Sequence, residues 1–527
     1  MKKTIAFFLN LLIVGIFSVN AQQLVYSEPE KDDARSLNFE ILGKIDGKIL
    51  IYKNTRDLHQ MAVYDTDMKL LDKVKMDYLN EKGKILSTDF IQYSDFVYIL
   101  YQFQQKSSVF AMAVKIDGNG KKIGDPLVLD TTSNINSNVD SKIYTFINSE
   151  DKQRIVAFKI STKNEKEHAV TSCMFDKSLN LIEKVRVPVS MPEKNDFLGE
   201  FGIANNGNLV CLKQSGTNQN DNINKISLLV KPLGAIHFTV NNLPINKIFL
   251  DDTRVKLDNR NGHCIITSFF SKIRRGNVDG LYYTLWELDG SKEILNATTT
   301  FTEEYRSDVR GDGPQKMAFN DFYLKNLVLR KDGGFMIIAE AAYVTNKGNT
   351  LNRWDYMNGN PFYNNPFLGG YSGNSLNYYP MNGGLGYYPW GGVYNNYGMN
   401  SNNMGNNVNR YYAENVAVIS FEPDGKMEWS NVIRKTQYDD NTDNYIGYGI
   451  LNSGDQIHFL FNLQEKRSNV LTDQSLSPIG QIDRNPTIKN LDKGYDFMPR
   501  HIKQVGLRQA IMPCMYRGYT CFAKVDF

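Results

Sequence analysis

The stretch ENVAVISFEPDGKMEWSNVIRK, Glu414 to Lys435, is an apolar strand, a Pro-Asp-Gly turn and a second, more polar strand. Whether it is a lone hairpin or one copy of a repeated unit decides the architecture. HQMAVYDTDMKLLDKVKMD (His59 to Asp77), FAMAVKIDGNGKKIGDPLVLD (Phe110 to Asp130) and TSCMFDKSLNLIEKVRVPV (Thr171 to Val189) share its plan. So do ISLLVKPLGAIHFTV (Ile226 to Val240) and LYYTLWELDGSKEILNATTTF (Leu281 to Phe301). Apolar strand, short polar turn and alternating strand together are a hairpin signature.

A second hairpin precedes each of these, marked by a turn and a nearly continuous apolar run. The runs are DGKILIY from Asp46, SDFVYILY from Ser94, DKQRIVAF from Asp151, NGNLVCL from Asn206, NGHCIITSF from Asn261, DGGFMIIAE from Asp332 and SGDQIHFLF from Ser453. A strand apolar on both faces must be covered on both faces, so it belongs inside stacked sheets. The turns recur every 50 to 56 residues or so through the first five units, a period that marks solenoids, propellers or arrays. Four antiparallel strands per unit select the propeller, in which radial packing buries faces that an isolated sheet would leave wet. On these segments the chain resembles secreted seven-bladed β-propellers over nearly its whole length. No Trp-Asp signature or kelch double-Gly motif recurs, so the resemblance reaches no subfamily. The last unit ends at TCFAKVDF, Thr520 to Phe527, without a final strand, while QLVYSEP, Gln23 to Pro29, has no partner of its own. The expectation is an all-β, seven-bladed β-propeller over 22–527, closed by this N-terminal strand, which would remove two exposed sheet edges.

Residues 1–21 read as a secretory signal: Lys2 and Lys3, an apolar run from Ile5 to Val19, and a Val19-Asn20-Ala21 cleavage site. No Cys follows that site to carry a lipid, and no later apolar run is long enough to span a membrane. Export to the periplasm, the outer-membrane periphery or the medium of a Gram-negative, Bacteroidota-like bacterium is therefore expected. Sixty Lys and Arg against 57 Asp and Glu leave no basic footprint of the kind nucleic-acid binding needs. The basic run Ser271 to Gly276 reads as a solvated loop.

Two units are stretched between their second and third strands, from about Tyr343 to Ala413 and from about Leu463 to Pro513. Such loops share one face of a propeller, and long insertions on rigid scaffolds often carry function. The first is rich in Asn, Gly and Tyr and poor in charge, a composition that resists ordering. Its Tyr378, Tyr379, Tyr387, Tyr388, Trp390, Tyr394 and Tyr397 are nevertheless candidate binding residues, their amphipathic rings suiting a protein surface or a sugar face.

Catalytic patterns are absent. The six histidines have no paired spacing, no GxSxG elbow occurs, and no cofactor or metal is expected. Asp439 to Asn444 spaces oxygens as a calcium loop would, but Asn444 and Ile450 stand where Gly and an acid are needed. Cys514 and Cys521 flank MYRGYT and are a candidate disulfide; Cys173, Cys211 and Cys264 read as buried small apolar residues. A propeller site can still be assembled from acids of separate blades. The leading expectation is a non-enzymatic protein-binding or scaffolding propeller, an accessory subunit of an envelope complex. A glycan-binding or glycan-active propeller is the alternative, and an outer-membrane β-barrel, prompted by the alternation from Tyr519 to Phe527, is a third.

Overall fold

The Glu414–Lys435 stretch folds as two strands, Asn409–Phe421 and Met427–Ile433, paired antiparallel from Val416↔Ile433 to Phe421↔Met427. A computed structural model describes residues 23–30, 37–55, 58–79, 83–135, 142–164, 166–193, 195–216, 222–310, 314–346, 349–350, 409–440, 443–465, 468–485 and 494–527. Within them the strands form antiparallel four-stranded meanders in chain order. The first three are Leu37–Ile45, Lys48–Thr55, Leu58–Tyr64, Leu70–Lys75; then Lys84–Gln92, Phe96–Gln105, Ser108–Asp117, Lys122–Thr132; then Thr145–Asn148, Arg154–Asn164, Glu167–Asp176, Leu181–Ser190. The fourth is Asp196–Ile203, Leu209–Gly216, Ile223–Lys231, Thr239–Leu243, and the fifth Phe249–Asp258, His263–Ser271, Gly280–Glu287, Glu293–Thr300. The sixth is Phe322–Leu329, Phe335–Asn346, Asn409–Phe421, Met427–Ile433, and the seventh Gly449–Asn452, Ile457–Glu465, Ser468–Leu476, Ile482–Arg484.

The C-terminal sheet is completed from the other end of the chain. Gln509–Tyr516 and Tyr519–Asp526 form its hairpin, Tyr495–Phe497 and Lys503–Gly506 flank one side, and Gln23–Tyr26 adds on the other. Gln23 pairs with Asp526 and Tyr26 with Ala523, as the orphan-strand reading expects. Ser27 N donates to Phe522 O at 2.8 Å and Glu30 N to Thr520 O at 2.9 Å, carrying the pairing past the strand. The Glu30 carboxylate then reaches into the first unit, accepting from Lys53 Nζ at 2.8 Å and Tyr64 OH at 2.7 Å and pairing with Lys73.

Backbone hydrogen bonds divide the strands among seven sheets, the number expected. The largest, however, is eight-stranded: the fourth and fifth meanders, merged by the single pair Ile223↔Leu250. The four-stranded unit itself is therefore printed eight times, and eight apolar cores lie between successive units. They are centred on Leu50 and Ile99, Leu100 and Ile155, Val156 and Leu209, Leu228 and Ile266, Leu281 and Phe335, Ile338 and Phe459, Leu460 and Met512, and Ile511 and Ile51. The last couples the C-terminal unit to the first and shuts the cycle. Second strands divide their side chains between two cores: Ile49 and Ile51 face one neighbour, Leu50 and Tyr52 the other. That is why they read as unbroken apolar runs, and each large side chain so buried contributes about 1.5–3 kcal/mol.

Two expectations need correction. The stretch from Leu463 to Pro513 is no insertion: it holds Ser468–Leu476 and Ile482–Arg484 of the seventh unit, then Tyr495–Phe497, Lys503–Gly506 and most of Gln509–Tyr516 of the next. The eighth unit hides because its first strand is split by the 3-10 turn Pro499–His501 and its second carries Pro513, which breaks an apolar run. The barrel alternative also falls, since a barrel is one sheet closed on itself and these strands belong to separate sheets packed face to face. No helix among the described residues is long and apolar enough to cross a membrane.

The opening turn recurs as a device that joins units. In Glu422 to Lys426, Glu422 N donates to Lys426 O at 2.8 Å and Gly425 N to Glu422 O at 2.9 Å. Asp65–Lys69, Asp117–Lys121, Asp176–Asn180 and Ser477–Gln481 repeat both bonds, with Met68, Gly120, Leu179 and Gly480 left-handed where Gly425 is. The preceding unit donates to carbonyls of four of these five turns, and of the related turn Glu287–Lys292. Tyr98 OH reaches Lys177 O at 3.0 Å, Asn241 Nδ2 reaches Gly290 O at 2.9 Å, Tyr283 OH reaches Gly425 O at 2.5 Å and Asn431 Nδ2 reaches Gly480 O at 2.8 Å. Lys524 Nζ does the same to Thr66 O at 2.6 Å across the closure, so the seam is built like the other interfaces.

Candidate functional site

Antiparallel meanders send first-to-second and third-to-fourth turns to one end of the ring. Second-to-third connections and the links between units emerge at the other. At that connection end the sixth unit rises above its neighbours. Phe335–Asn346 and Asn409–Phe421 stay in register beyond a bulge at Glu340/Ala342, from Ala342↔Ala413 to Asn346↔Asn409. Tyr343 to Asn346 and Asn409 to Ala413, expected inside an insertion, are thus paired strand residues. Gln437–Asp439 adds a third strand against Tyr411 to Ala413. The seven aromatic candidates, Tyr378, Tyr379, Tyr387, Tyr388, Trp390, Tyr394 and Tyr397, lie outside the described residues. Their segment leaves this stem after Thr350 and rejoins it at Asn409.

The two faces of the stem differ. One buries Ala342, Val344 and Ala413 against Tyr323 and Ile446. The other carries a row of rings: Tyr343 stacks on Tyr412 at 4.5 Å and 15°, and Tyr412 lies 6.2 Å from Tyr438. The Arg410 guanidinium sits 4.7 Å from the Tyr438 ring centre and pairs with Asp440. Tyr438 is 47% exposed, so the row ends in solvent. Tyr343 OH donates to Glu414 Oε1 at 2.9 Å; burial, reinforced by that carboxylate, pushes the phenol's pKa up and keeps it a donor.

Beneath the stem a charged network ties three units together. Lys435 Nζ lies 2.9 Å from Glu340 Oε1 and 2.8 Å from Gln437 Oε1, and both charged side chains are essentially sealed from water. Gly447 N donates to the same Gln437 oxygen at 2.9 Å, and Gln437 Nε2 donates to Asn462 O at 2.8 Å. Asn462 Nδ2 donates on to Phe497 O at 2.8 Å, and Arg500 pairs with Asp443. Burial alone would raise the Glu340 carboxyl, but Lys435, Lys325 and Arg500 outweigh it and hold the group ionised below the usual range. The arrangement fixes the base of the stem, which sequence spacing could not reveal because its members come from three units.

A second polar grouping lies on the innermost strands. Glu40 and Asp89, on the first strands of adjacent units, are partly exposed. Burial raises both carboxyls, Asp89 to about 6 against the pull of Lys142 and Glu40 against that of Lys503. Carboxylates poised near neutrality beside amines are the raw material of acid–base chemistry.

The histidines are dispersed. His59 meets Tyr52 OH at 2.5 Å, His458 meets Asp473 at 2.9 Å, and burial pushes His501 down to about 4. No group of three His, Cys, Asp or Glu able to hold a metal occurs among the described residues. Cys173, Cys211 and Cys264 are buried in three different cores. Cys514 and Cys521 face each other directly across the C-terminal hairpin, their sulfurs 2.8 Å apart and their thiols free. Of the span Asp439 to Asn444, residues 441–442 lie outside the described residues, Asp440 pairs with Arg410 and Asp443 with Arg500.

No protein-family model matches the chain, and no curated protein matches it. Solved structures with a similar course include prolyl oligopeptidase B from Galerina marginata, at 10% identity over 92% of this chain and 56% of that one, TM-score 0.39. Oligopeptidase B from Leishmania major matches at 9% identity over 92% and 54%, TM-score 0.34. A PL25 ulvan lyase bound to a sulfated disaccharide matches at 9% over 84% and 92%, TM-score 0.36. The chain spans about half the length of the oligopeptidases. Likenesses this distant carry no functional argument.

Proposed function

We propose that the protein is a non-enzymatic binding or scaffolding propeller of a bacterial envelope, held at the periplasm or outer-membrane periphery as an accessory subunit. The carrying observation is the stem. Above an ion-locked base the stem carries the ring row Tyr343, Tyr412 and Tyr438, with Arg410 beside its exposed end. Tyrosine supplies large contact area at small entropic cost, and tyrosine and arginine are both enriched in protein-binding hot spots. The Tyr-rich segment between Thr350 and Asn409 joins the two strands of this stem in sequence. The leader-like first 21 residues support export.

The test is affinity purification of the tagged chain from native envelopes beside two variants, one lacking Asn358 to Asn407 and one with Tyr412→Ala and Tyr438→Ala. A specific envelope protein, recovered reciprocally when it is itself tagged, should be retained by the parent chain and lost from at least one variant. Retention of every companion by both variants would rule the reading out.

The glycan reading keeps one observation in its favour, the pair Glu40 and Asp89 on adjacent inner strands. Turnover of an envelope polysaccharide that vanishes in Asp89→Asn while the fold persists would promote it over the scaffold.

A further inference from the structure

The C-terminal hairpin carries chemistry that the binding reading leaves unused. Cys514 and Cys521 are directly opposed partners in the pairing of Gln509–Tyr516 with Tyr519–Asp526. Opposed residues of an antiparallel pair have Cα atoms about 4.5–5.5 Å apart, inside the span a disulfide bridges without moving backbone. The turn between them is a two-residue one, Arg517 and Gly518, both left-handed at φ +50° and +83°, so the register is pinned. Both sulfurs point into one core, beside Ala510, Met512, Ala523 and Val525, and are fully buried. Cys173, Cys211 and Cys264 occupy separate cores and have no such partner.

We infer that Cys514 and Cys521 form the chain's one disulfide in an oxidising medium, a staple that fixes the hairpin onto which the N-terminal strand docks. The oxidant is an external disulfide, of a dithiol oxidoreductase or of glutathione. One cysteine thiolate attacks it, forming a mixed disulfide and releasing a thiol; the other thiolate then displaces the second thiol. Net, two Cys S–H groups lose two protons and two electrons, one S–S bond forms, and the external disulfide is reduced to two thiols. Burial pushes the Cys514 thiol well up in the finished fold, so the exchange belongs to the stage when the hairpin exists and Leu24 and Tyr26 have not yet covered it.

Thiol counting on the full chain decides the matter and does not depend on where the protein resides. The chain is unfolded, refolded in a glutathione redox buffer, and alkylated with maleimide in denaturant. Three adducts are expected instead of the five that a dithiothreitol-treated sample gives, from the five cysteines present. Trypsin cuts after Arg508, Arg517 and Lys524, so a joined pair of peptides, 509–517 with 518–524, should appear about 2 Da below the sum of its parts and separate on reduction. Cys514→Ala, with one cysteine fewer, should give four adducts, one more than the parent. Five adducts from the oxidised parent, or a bond to Cys173, Cys211 or Cys264, would overturn the inference.

Discussion

At one end of the ring the chain reverses in short turns whose carbonyls are grasped by the unit before; at the other it passes through longer links held by charged side chains. The turn end works through backbone shape. Tyr283 OH to Gly425 O and Asn431 Nδ2 to Gly480 O are single neutral contacts, effective because the turns they hold have one conformation. The connection end works through ions: Glu30 with Lys53, Asp130 with Lys159 and Lys184, Glu340 with Lys435, Asp443 with Arg500. The fourth unit is an instructive exception. Its turn end takes a charge, Glu183, which accepts from Gly234 N at 2.9 Å and pairs with the buried Lys231 at 2.6 Å. Glu183 thus holds a turn through its N–H, where Tyr98, Asn241, Tyr283, Asn431 and Lys524 hold carbonyls. The lesson is that regular turns assemble the wheel, while ions fix the end that varies and bears the stem.

The largest effect should come from breaking the ion lock. Lys435→Met leaves Glu340 buried without its partner and should cost about 3–5 kcal/mol in urea unfolding. Pairing it with Glu340→Leu should recover much of that loss; no recovery would mean that the network holds the units through other members. Glu340 has a depressed folded pKa, so its contribution is complete above the unfolded value and disappears as pH falls through the folded one.

The turn end should fail by shape instead. At Gly425, φ is +80° and a Cβ would stand 2.1 Å from Leu295 Cδ2 and 3.0 Å from Tyr283 Cε2. Gly425→Ala should therefore cost about 2–4 kcal/mol, strain and overpacking together. Gly47 has a similar φ, +78°, with nothing within 4 Å. Gly47→Ala should cost only about 1 kcal/mol. Equal losses in chemical denaturation would show that packing against the preceding unit contributes nothing.

A smaller difference should appear only in acid. Burial raises the Asp130 carboxyl, yet hydrogen bonds from Lys159, Lys184 and Tyr144 win and bring it to about 2. Its stabilisation is present above pH 4 or so and fades as pH falls towards 2. Asp130→Asn should lower the melting temperature at neutral pH and narrow its gap from the parent at pH 2.5 or thereabouts, read by calorimetry. The least effect on stability should follow from replacing 351–408 by a short Gly-Ser link. Loop length enters closure entropy only logarithmically, so a change within about 1 kcal/mol is expected. A large loss on that replacement would mean that the segment braces the ring, and the contrast between the two ends would blur.

The repeated turn and the doubly buried second strands were legible in sequence because both are local: a Gly or Asp fixes one, continuous apolar character the other. The closing strand was legible through its lack of a neighbour. The eighth unit was not, because Pro513 interrupts its second strand and Pro499–His501 divides its first, so neither local signal survives. The stem was out of reach for another reason. Tyr343, Tyr412 and Tyr438 are far apart in the chain, and only the register of three strands lines them up. Grouping Glu340 with Lys435 and Arg500 needs three neighbouring units in place, which no window of sequence contains.

Pairing of Gln23–Tyr26 with Tyr519–Asp526 sets a schedule on biosynthesis. Gln23–Tyr26 has no slot until Tyr519–Asp526 exists, so it stays unpaired while the intervening units are made. Until Tyr519–Asp526 arrives to receive it, that early strand is open to pairing with a sibling molecule.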